Sequence, residues 1–195
     1  MLSTYLRSEL QKGKTLLIGS VIELGSGCGL VGIAAALLSE SVVTLTGDKP
    51  SVYQLCQIMP DPHFCADMGG QVLELLQANT MANGCAAKDR LLACQLDWED
   101  PISDLVLSRG PFACILVADC TYNESVYGLL ADVIARLSNS GTKIFISHTV
   151  RSHYEQEVLM DVCVQKGFSF EIVWNVGDLY FVYCLAHKQK GTEDK

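Results

Sequence analysis

Short apolar runs of strand length recur along the chain and alternate with segments of helical spacing. Seven such runs are present, at 21–24, 42–45, 91–94, 114–118, 143–147, 169–174 and 179–186. Helical patterns lie between the first six, over 30–38, 72–82, 126–137 and 154–166. Strands that are apolar throughout, rather than at alternate positions, are typical of a parallel sheet covered by helices on both faces. The pattern therefore predicts an α/β fold.

The last two runs are separated by only four residues, 175–178. A parallel neighbour would need a crossover connection of about a dozen residues or more, so we expect the seventh strand to be antiparallel. Residues 51–70 contain two prolines and a Gly-Gly pair and predict a long connection. The length is that of one domain, over 1–187, followed by a polar tail over 188–195.

A glycine-rich turn, with the sequence V-I-E-L-G-S-G-C-G-L-V-G over 21–32, joins the first predicted strand to the first predicted helix. Glycine permits a positive φ and a close approach of the backbone to a ligand, and the following helix presents free N–H groups to an anion. Asp48 follows the second strand, where a carboxylate can accept hydrogen bonds from ribose hydroxyls. This order predicts a cofactor that contains a nucleoside.

Glu23 distinguishes between two cofactors of this geometry. A dinucleotide would place its pyrophosphate at the helix N-terminus, and an acid two residues before Gly25 would repel it. S-adenosylmethionine carries an ammonium and a sulfonium, which the same acid attracts. The residues favour S-adenosylmethionine, and a nicotinamide dinucleotide is the less favoured alternative.

The motif E-x-G-x-G-x-G over 23–29 resembles the first motif of the seven-strand (class I) methyltransferases, whose Rossmann-like sheet ends in an antiparallel seventh strand. Two later segments make the resemblance narrower. L-D-W over 96–98 and A-D-C-T-Y over 118–122 are similar to motifs of the methyltransferase-like enzymes that methylate lysines of non-histone proteins. L-x-x-N-x-x-x-N over 76–83 and T-V-R over 149–151 are similar as well.

The resemblance implies an enzyme that uses S-adenosylmethionine as cofactor and methylates a protein side chain, lysine being favoured over arginine. It implies that the methionine part is bound by Gly25, Ser26, Gly27 and Gly29, the ribose by Asp48, and the adenine by Asp97 and Trp98, while Glu23 and Ala118 complete the cofactor site. No metal is required, because the reaction depends on holding the nucleophile, the methyl group and the sulfur in line.

Asp119 and Tyr122 are the candidate catalytic residues. Asp119 follows the fourth strand, where open α/β sheets place ligands, and can steer a lysine ammonium; helix capping is its alternative role. Tyr122 can wall the channel and accept a hydrogen bond from the amine, or it can simply pack. Methyltransferases that act on nucleobase amines resemble one another in an N/D-P-P-Y/F loop. Cys120 and Thr121 stand in place of both prolines here, which disfavours a nucleobase substrate.

Three other side chains are interpreted as structural. Trp174 is expected in the core. His148 and His153 flank Arg151 in a predicted loop and are taken as loop histidines rather than as a general base.

Charge and composition limit the classes of partner that we expect for this chain. The net charge is −8, from 14 basic and 22 acidic residues, which argues against nucleic acid and favours a cationic protein segment. The longest apolar runs are half the ~18 residues of a membrane span or less, so no membrane partner is expected. Nine cysteines without a C-x-x-C pair are typical of reduced thiols, which favours the cytoplasm, with the nucleus as the second compartment.

Two departures from the family pattern keep alternatives open. Gly47 separates Thr46 from Asp48, where the family has threonine directly before the acid, so we expect a displaced carboxylate. Relatives carry a β-hairpin and a G-x-x-x-W segment before the first strand, and residues 2–6 resemble the helix that follows that tryptophan. We therefore expect the N-terminal cap to be absent. A non-catalytic or truncated binding module and a small-molecule methyltransferase are the alternatives.

Overall fold

The computed structural model describes residues 1–47 and 71–188. The predicted ribose ligand Asp48, the connection predicted over 51–70 and the tail beyond residue 188 lie outside the described residues.

Helices and strands alternate along the described chain. In order they are α1 (Leu2–Gln11), β1 (Ser20–Leu24), α2 (Leu30–Leu38), β2 (Val42–Gly47), α3 (Gln71–Gly84), β3 (Leu91–Gln95), α4 (Asp104–Leu107), β4 (Cys114–Ala118), α5 (Tyr127–Leu137), β5 (Lys143–Thr149), α6 (His153–Gln165), β6 (Phe168–Val176) and β7 (Tyr180–His187). A 3₁₀ turn over Glu124–Val126 precedes α5. The predicted bounds of α2 and β4 agree with those observed, and the other predicted strands differ by one or two residues at one end or at both.

The seven strands form one sheet in the order β3-β2-β1-β4-β5-β7-β6. β1 pairs in parallel with β2 and β4, and β7 is antiparallel to both β5 and β6. The prediction of an antiparallel seventh strand is confirmed. The strand order reverses between β1 and β4, and in open α/β sheets such a reversal opens a crevice at the carboxyl ends of the strands.

Helices cover both faces of this sheet, as the apolar strands predict. Val21 and Ile22 belong to different core clusters, because successive side chains of a strand point to opposite faces. The first cluster joins the sheet to α1, α2 and α3 through buried side chains such as Leu6, Ala35 and Leu76. The second joins it to α5 and α6. No helix in the described ranges has the length and apolar character needed to cross a membrane.

Two local features differ from the prediction. The single-turn helix α4 has no periodic signal, and it begins at a cap in which the Ser103 hydroxyl accepts the Val106 N–H. The prediction that His148 lies in a loop is wrong, since it belongs to β5 and is fully buried. β5 continues past the end of β4 because β7 pairs with it there, with His148 opposite Phe181. His153 is the first residue of α6.

Candidate functional site

The glycine turn follows β1 directly and has three residues in the left-handed region. The φ angles of Gly25, Gly27 and Gly29 are +63°, +54° and +87°. Gly29 is the N-cap of α2, and its N–H donates to the Ser26 carbonyl over 2.8 Å. The turn is also tied to β2, since the Ser26 N–H donates to the Thr46 carbonyl over 2.7 Å. The backbone of the turn therefore adopts a conformation that residues other than glycine rarely adopt.

Two of these glycines differ in what surrounds them. A Cβ atom on Gly25 would lie 2.6 Å from the Cys120 Sγ and 3.4 Å from the Trp98 Cζ2, so the fold itself leaves no room for a side chain. A Cβ on Gly27 would meet no described atom within 4 Å. Among the described residues the space beside Gly27 is therefore open, and it lies at the N-terminus of a helix, where the carboxylate of an amino-acid cofactor would fit.

Glu23 lies beneath the turn and is 1% exposed. Its Oε2 accepts the Gly32 N–H over 2.9 Å, which satisfies one of the unpaired donors in the first turn of α2. Burial raises the pKa of Glu23 to about 7, while the Gly32 N–H and the nearby Ser26 hydroxyl act in the opposite direction. The structure thus gives this carboxylate a part in fixing the turn, and its predicted attraction for the cofactor stays a prediction.

Ser26 is also engaged within the protein. Its hydroxyl donates to the Glu23 carbonyl over 3.2 Å and accepts the Thr46 N–H over 3.0 Å. The Thr46 hydroxyl donates to the same Glu23 carbonyl over 2.7 Å. These bonds hold the turn against β2, and the predicted contact of Ser26 with the methionine part stays untested.

The predicted adenine ligands follow β3 at the same edge of the sheet. Asp97 and Trp98 are both half-buried, and one Asp97 carboxylate oxygen accepts the Glu99 N–H over 2.9 Å. The closeness of the Trp98 ring to Gly25 places it at the border of the glycine turn. The ring also packs against the core cluster on the α5 and α6 face, so it serves the core as well as bordering the site.

The D-C-T-Y segment over 119–122 leaves β4 beside the glycine turn. Its outer residues, Asp119 and Tyr122, are exposed, whereas its inner residues, Cys120 and Thr121, are 7% and 1% exposed. The Cys120 Sγ lies 3.3 Å from each of three carbonyl oxygens, those of Leu24, Gly25 and Ala118. The buried thiol therefore joins the segment that presents Asp119 to the turn that presents Gly27.

Asp119 has a φ of +57°, which is uncommon for a residue with a side chain. Its carboxylate is 4.0 Å from an Arg151 guanidinium nitrogen, and because both side chains are exposed this pairing is weak. Burial is the main cause that raises the pKa of Tyr122, and the nearby Cys120 and Asp119 raise it further. The phenol therefore stays protonated at neutral pH. Asp119 and Tyr122 are both exposed in the segment that follows β4, and their catalytic roles stay a prediction.

Sequence reasoning missed three contributions to this site. The Asn79 side chain on α3 donates to the Cys28 carbonyl over 2.8 Å and so holds the outside of the glycine turn; the L-x-x-N-x-x-x-N pattern was its signal. Gly32 leaves room for the Leu45 and Glu23 side chains, which a Cβ would approach to 2.0 and 2.7 Å. Cys120 had no signal beyond its place between Asp119 and Thr121.

With this geometry established, comparison with known proteins decides the family. A family model described as lysine methyltransferase matches residues 1–59 and 64–164. The chain belongs to the lysine methyltransferase family. The predicted resemblance is confirmed, and so is the expectation of a methyltransferase that uses S-adenosylmethionine.

Curated members of this lysine methyltransferase family resemble the chain over most of its length. The protein N-lysine methyltransferase METTL21A of Danio rerio is 30% identical over 187 residues, which are 94% of this chain and 74% of that protein. The EEF1A lysine methyltransferase 3 of Mus musculus is 26% identical, with 87% of this chain and 62% of that protein covered. The protein-lysine N-methyltransferase EEF2KMT of Mus musculus is 25% identical, with 79% and 44% covered. The chain thus spans less than two thirds of the last two relatives.

Solved structures confirm the fold of this family member. A methyltransferase from Pyrococcus furiosus superposes with a TM-score of 0.64 at 17% identity, covering 96% of this chain and 83% of that one. The glycopeptide N-methyltransferase MtfA, complexed with S-adenosylmethionine, superposes with a TM-score of 0.65 at 12% identity, covering 95% and 87%.

Proposed function

We propose that this chain transfers a methyl group from S-adenosylmethionine to the side-chain amine of a lysine in a protein. The observation that carries the proposal is the exposed carboxylate of Asp119, held at the end of β4 beside the open glycine turn. Family membership supports the lysine specificity, because the relatives METTL21A, EEF2KMT and EEF1A lysine methyltransferase 3 are named for methylating protein lysines.

The bound cofactor would supply a methyl group that is electrophilic because it is attached to a sulfonium. A lysine amine is ordinarily protonated, with a pKa of about 10.4, and it must lose its proton to solvent before its lone pair can attack. The new N–C bond then forms as the S–C bond breaks, and S-adenosylhomocysteine leaves. The chain's own contribution is to hold the reactants in line, which can supply most of the acceleration.

Each named residue has one task in this proposal. Asp119 attracts the lysine ammonium to the crevice, and the Tyr122 oxygen accepts a hydrogen bond from the amine. Gly27 leaves room for the methionine part of the cofactor. Asp97 and Trp98 hold the adenine through a carboxylate acceptor and an aromatic face, and Asp48 is proposed for the ribose.

The proposed partner is a basic protein segment in the cytoplasm, with the nucleus as the second compartment. A net charge of −8 favours the approach of a cationic chain and disfavours nucleic acid. The seven cysteines in the described ranges are all free thiols, which is usual in reducing compartments. Imaging of the tagged chain in cells tests the compartment, and accumulation in the secretory pathway would contradict it.

The proposed roles of Asp119 and of the glycine turn can be separated by one pair of measurements. The first is calorimetric titration with S-adenosylhomocysteine, and the second is incorporation of labelled methyl groups into lysate proteins. We expect Asp119→Asn to keep its affinity for S-adenosylhomocysteine and to lose labelling by about a hundredfold, because the charge that attracts the lysine ammonium is gone. Asp161→Asn, on the exposed side of α6, is the matched control and should label like the wild type.

Three results would contradict the proposal. The wild-type chain could fail to bind S-adenosylhomocysteine, which would remove the cofactor assignment. Asp119→Asn could label proteins as well as the wild type, which would remove the role of this carboxylate. The label could enter RNA or small metabolites while proteins stay unlabelled, which would exclude proteins as the substrate.

A further inference from the structure

Behind the exposed pair Asp119 and Tyr122 lies a buried hydrogen bond that the proposed reaction does not use. The Thr121 Oγ1 is 2.7 Å from the Nδ1 of His148. Thr121 is 1% exposed and His148 is fully buried. His148 lies on β5, one residue beyond Ser147, which pairs with Ala118 of β4. The bond therefore connects the segment that leaves β4 to the neighbouring strand.

The same threonine is held from a second direction. The Tyr127 hydroxyl, at the start of α5, donates to the Thr121 carbonyl over 3.0 Å, and Tyr127 is 1% exposed. Together with the Cys120 thiol on the glycine turn, this fastens the two inner residues of the segment to β1, β5 and α5. The two outer residues are left free to face a substrate.

This arrangement has an energetic cost that packing does not explain. The second ring nitrogen of His148, Nε2, is buried and has no hydrogen-bond partner among the described residues. Burying an unpartnered polar atom destabilises a fold, and an apolar side chain of similar size would avoid that cost. Residues that break a rule of stability in this way concentrate at functional sites.

The backbone conformation of Asp119 gives the buried Thr121–His148 bond a function. Its left-handed φ of +57° is a strained conformation that persists only where the surroundings over-determine it. The Thr121–His148 bond acts two residues further on and removes freedom from the same short segment. Burial and Arg151 lower the pKa of His148, against the opposing effect of Glu155 and Asp119, so the ring stays neutral at pH 7 and the bond does not depend on its charge.

We propose that His148 is a positioning residue, which acts through the Thr121 hydroxyl to hold Asp119 and Tyr122 in the conformation that receives the substrate lysine. This inference rests on the proposed function. It assigns no contact between His148 and the substrate or the cofactor. Loss of the bond should therefore weaken turnover of the protein substrate and leave the affinity for S-adenosylhomocysteine unchanged.

Matched variants test this inference. Thr121→Val and His148→Leu remove the bond with little change in volume, whereas Thr121→Ser and His148→Asn keep a polar group where the bond is made. We expect the first pair to lower kcat/KM for protein methylation about tenfold or more, and the second pair to restore most of it. The double variant Thr121→Val/His148→Leu should be no worse than either single one.

Stability measurements distinguish positioning from simple unfolding. The double variant Thr121→Val/His148→Leu should be at least as stable as the wild type in urea, because it removes both partners of the bond and the unpartnered Nε2 together, yet it should be impaired in methylation. A purely structural role predicts the opposite, namely that activity falls only where stability falls. Equal kcat/KM for the wild type and Thr121→Val would overturn the inference.

Amide hydrogen exchange over 119–122 gives a readout that requires no activity. We expect exchange about tenfold faster in Thr121→Val and His148→Leu than in the wild type, and near-wild-type exchange in Thr121→Ser. Unchanged exchange in the first pair would overturn the inference even in an active enzyme. A wild-type chain that labels no protein would instead overturn the proposed function, so the two failures are distinguishable.

Discussion

Gly25 and Gly27 are two residues apart, have similar φ angles and are glycine for different reasons. Around Gly25 the protein occupies the space that a side chain would need, through Cys120 and Trp98. Around Gly27 the described residues leave that space open. Side chains packed closely against the Gly25 backbone indicate that this glycine is required for folding. An open space at a helix N-terminus, as at Gly27, indicates room for a ligand.

Alanine at Gly27 tests this distinction. Gly27→Ala should lower the free energy of unfolding by about 1 kcal/mol, because a Cβ disfavours the left-handed backbone. It should also weaken S-adenosylhomocysteine binding at least about tenfold, since the methyl group enters the ligand's space. Gly13→Ala is the matched control, with a φ of +79° and an equally open surrounding in the connection before β1. It should lose similar stability and keep full affinity; equal affinities in the two variants would contradict the assignment.

Glu23 combines a buried carboxyl with a structural hydrogen bond, and its pKa is raised from 4.5 to about 7. A raised folded-state pKa means that the folded chain binds this proton more tightly than the unfolded chain does. The contribution of Glu23 to stability is therefore fully present below pH 4.5 and is lost as the pH rises to about 7.

Glu23→Gln should remove this pH dependence, because the amide keeps an oxygen for the Gly32 N–H and does not titrate. Between pH 4.5 and pH 7 the wild type should lose roughly 1 to 3 kcal/mol relative to the variant, as measured by urea unfolding at several pH values. Parallel stability curves for the two proteins would show that the carboxyl does not titrate in this range.

At the scale of elements, the glycine turn depends on a helix far from it in sequence. Asn79 on α3 reaches the Cys28 carbonyl, and no local pattern of the turn contains this contact. Asn79→Ala should weaken S-adenosylhomocysteine binding about three- to tenfold with little change in stability, since one exposed hydrogen bond that orders the turn is lost. Asn83→Ala is the control on the same helix, because among the described residues its side-chain amide bonds only to the Asn79 carbonyl within α3. Equal effects of the two variants would refute the special role of Asn79.

Most elements could be predicted from the sequence, and the exceptions have physical causes. The strands carry apolar runs that a two-sided parallel sheet requires, so β4 and α2 were predicted to the residue. The single-turn helix α4 depends on a cap rather than on periodicity. The last residues of β5 carry polar side chains, which by themselves predict a loop, and it is pairing with β7 that makes them a strand. That long-range pairing is what buries His148.

The site was predicted less completely than the fold. Motifs predict Gly25, Gly27, Asp119 and Tyr122 as members of the candidate site, because glycine turns and the segments after strands have local signatures. The contacts that hold these residues, from Cys120, Asn79 and His148, join segments that are far apart in sequence. Their roles follow from distances between segments that are far apart in sequence, and a local sequence pattern does not predict such distances.

At the scale of the whole molecule, the crevice arises from the strand order. Gly25 follows β1 and Asp119 follows β4, the two strands between which the order reverses. Because their carboxyl ends are neighbours, the glycine turn proposed to bind the cofactor and the segment proposed to receive the substrate lie side by side there. The Cys120 thiol is the direct contact between them.

The acidic character of the whole chain predicts how substrate recognition responds to salt. With a net charge of −8, the approach of a basic protein segment should weaken as salt rises from about 0.05 to 0.5 M, because the attraction is screened. KM for a protein substrate should rise several-fold, while kcat and the affinity for S-adenosylhomocysteine change little. A KM that is independent of salt would mean that surface charge does not guide the substrate.

The most direct measurement of the proposed activity uses S-adenosylmethionine with a deuterated methyl group. Purified wild-type chain and Asp119→Asn are each incubated with a cell lysate, and the proteins are digested and sequenced by mass spectrometry. We predict heavy methyl groups on lysine side chains of a small set of proteins with the wild type, and about a hundredfold less label on the same lysines with Asp119→Asn. Heavy methyl groups absent from lysine in both samples, although the wild type binds S-adenosylhomocysteine, would contradict a protein-lysine methyltransferase.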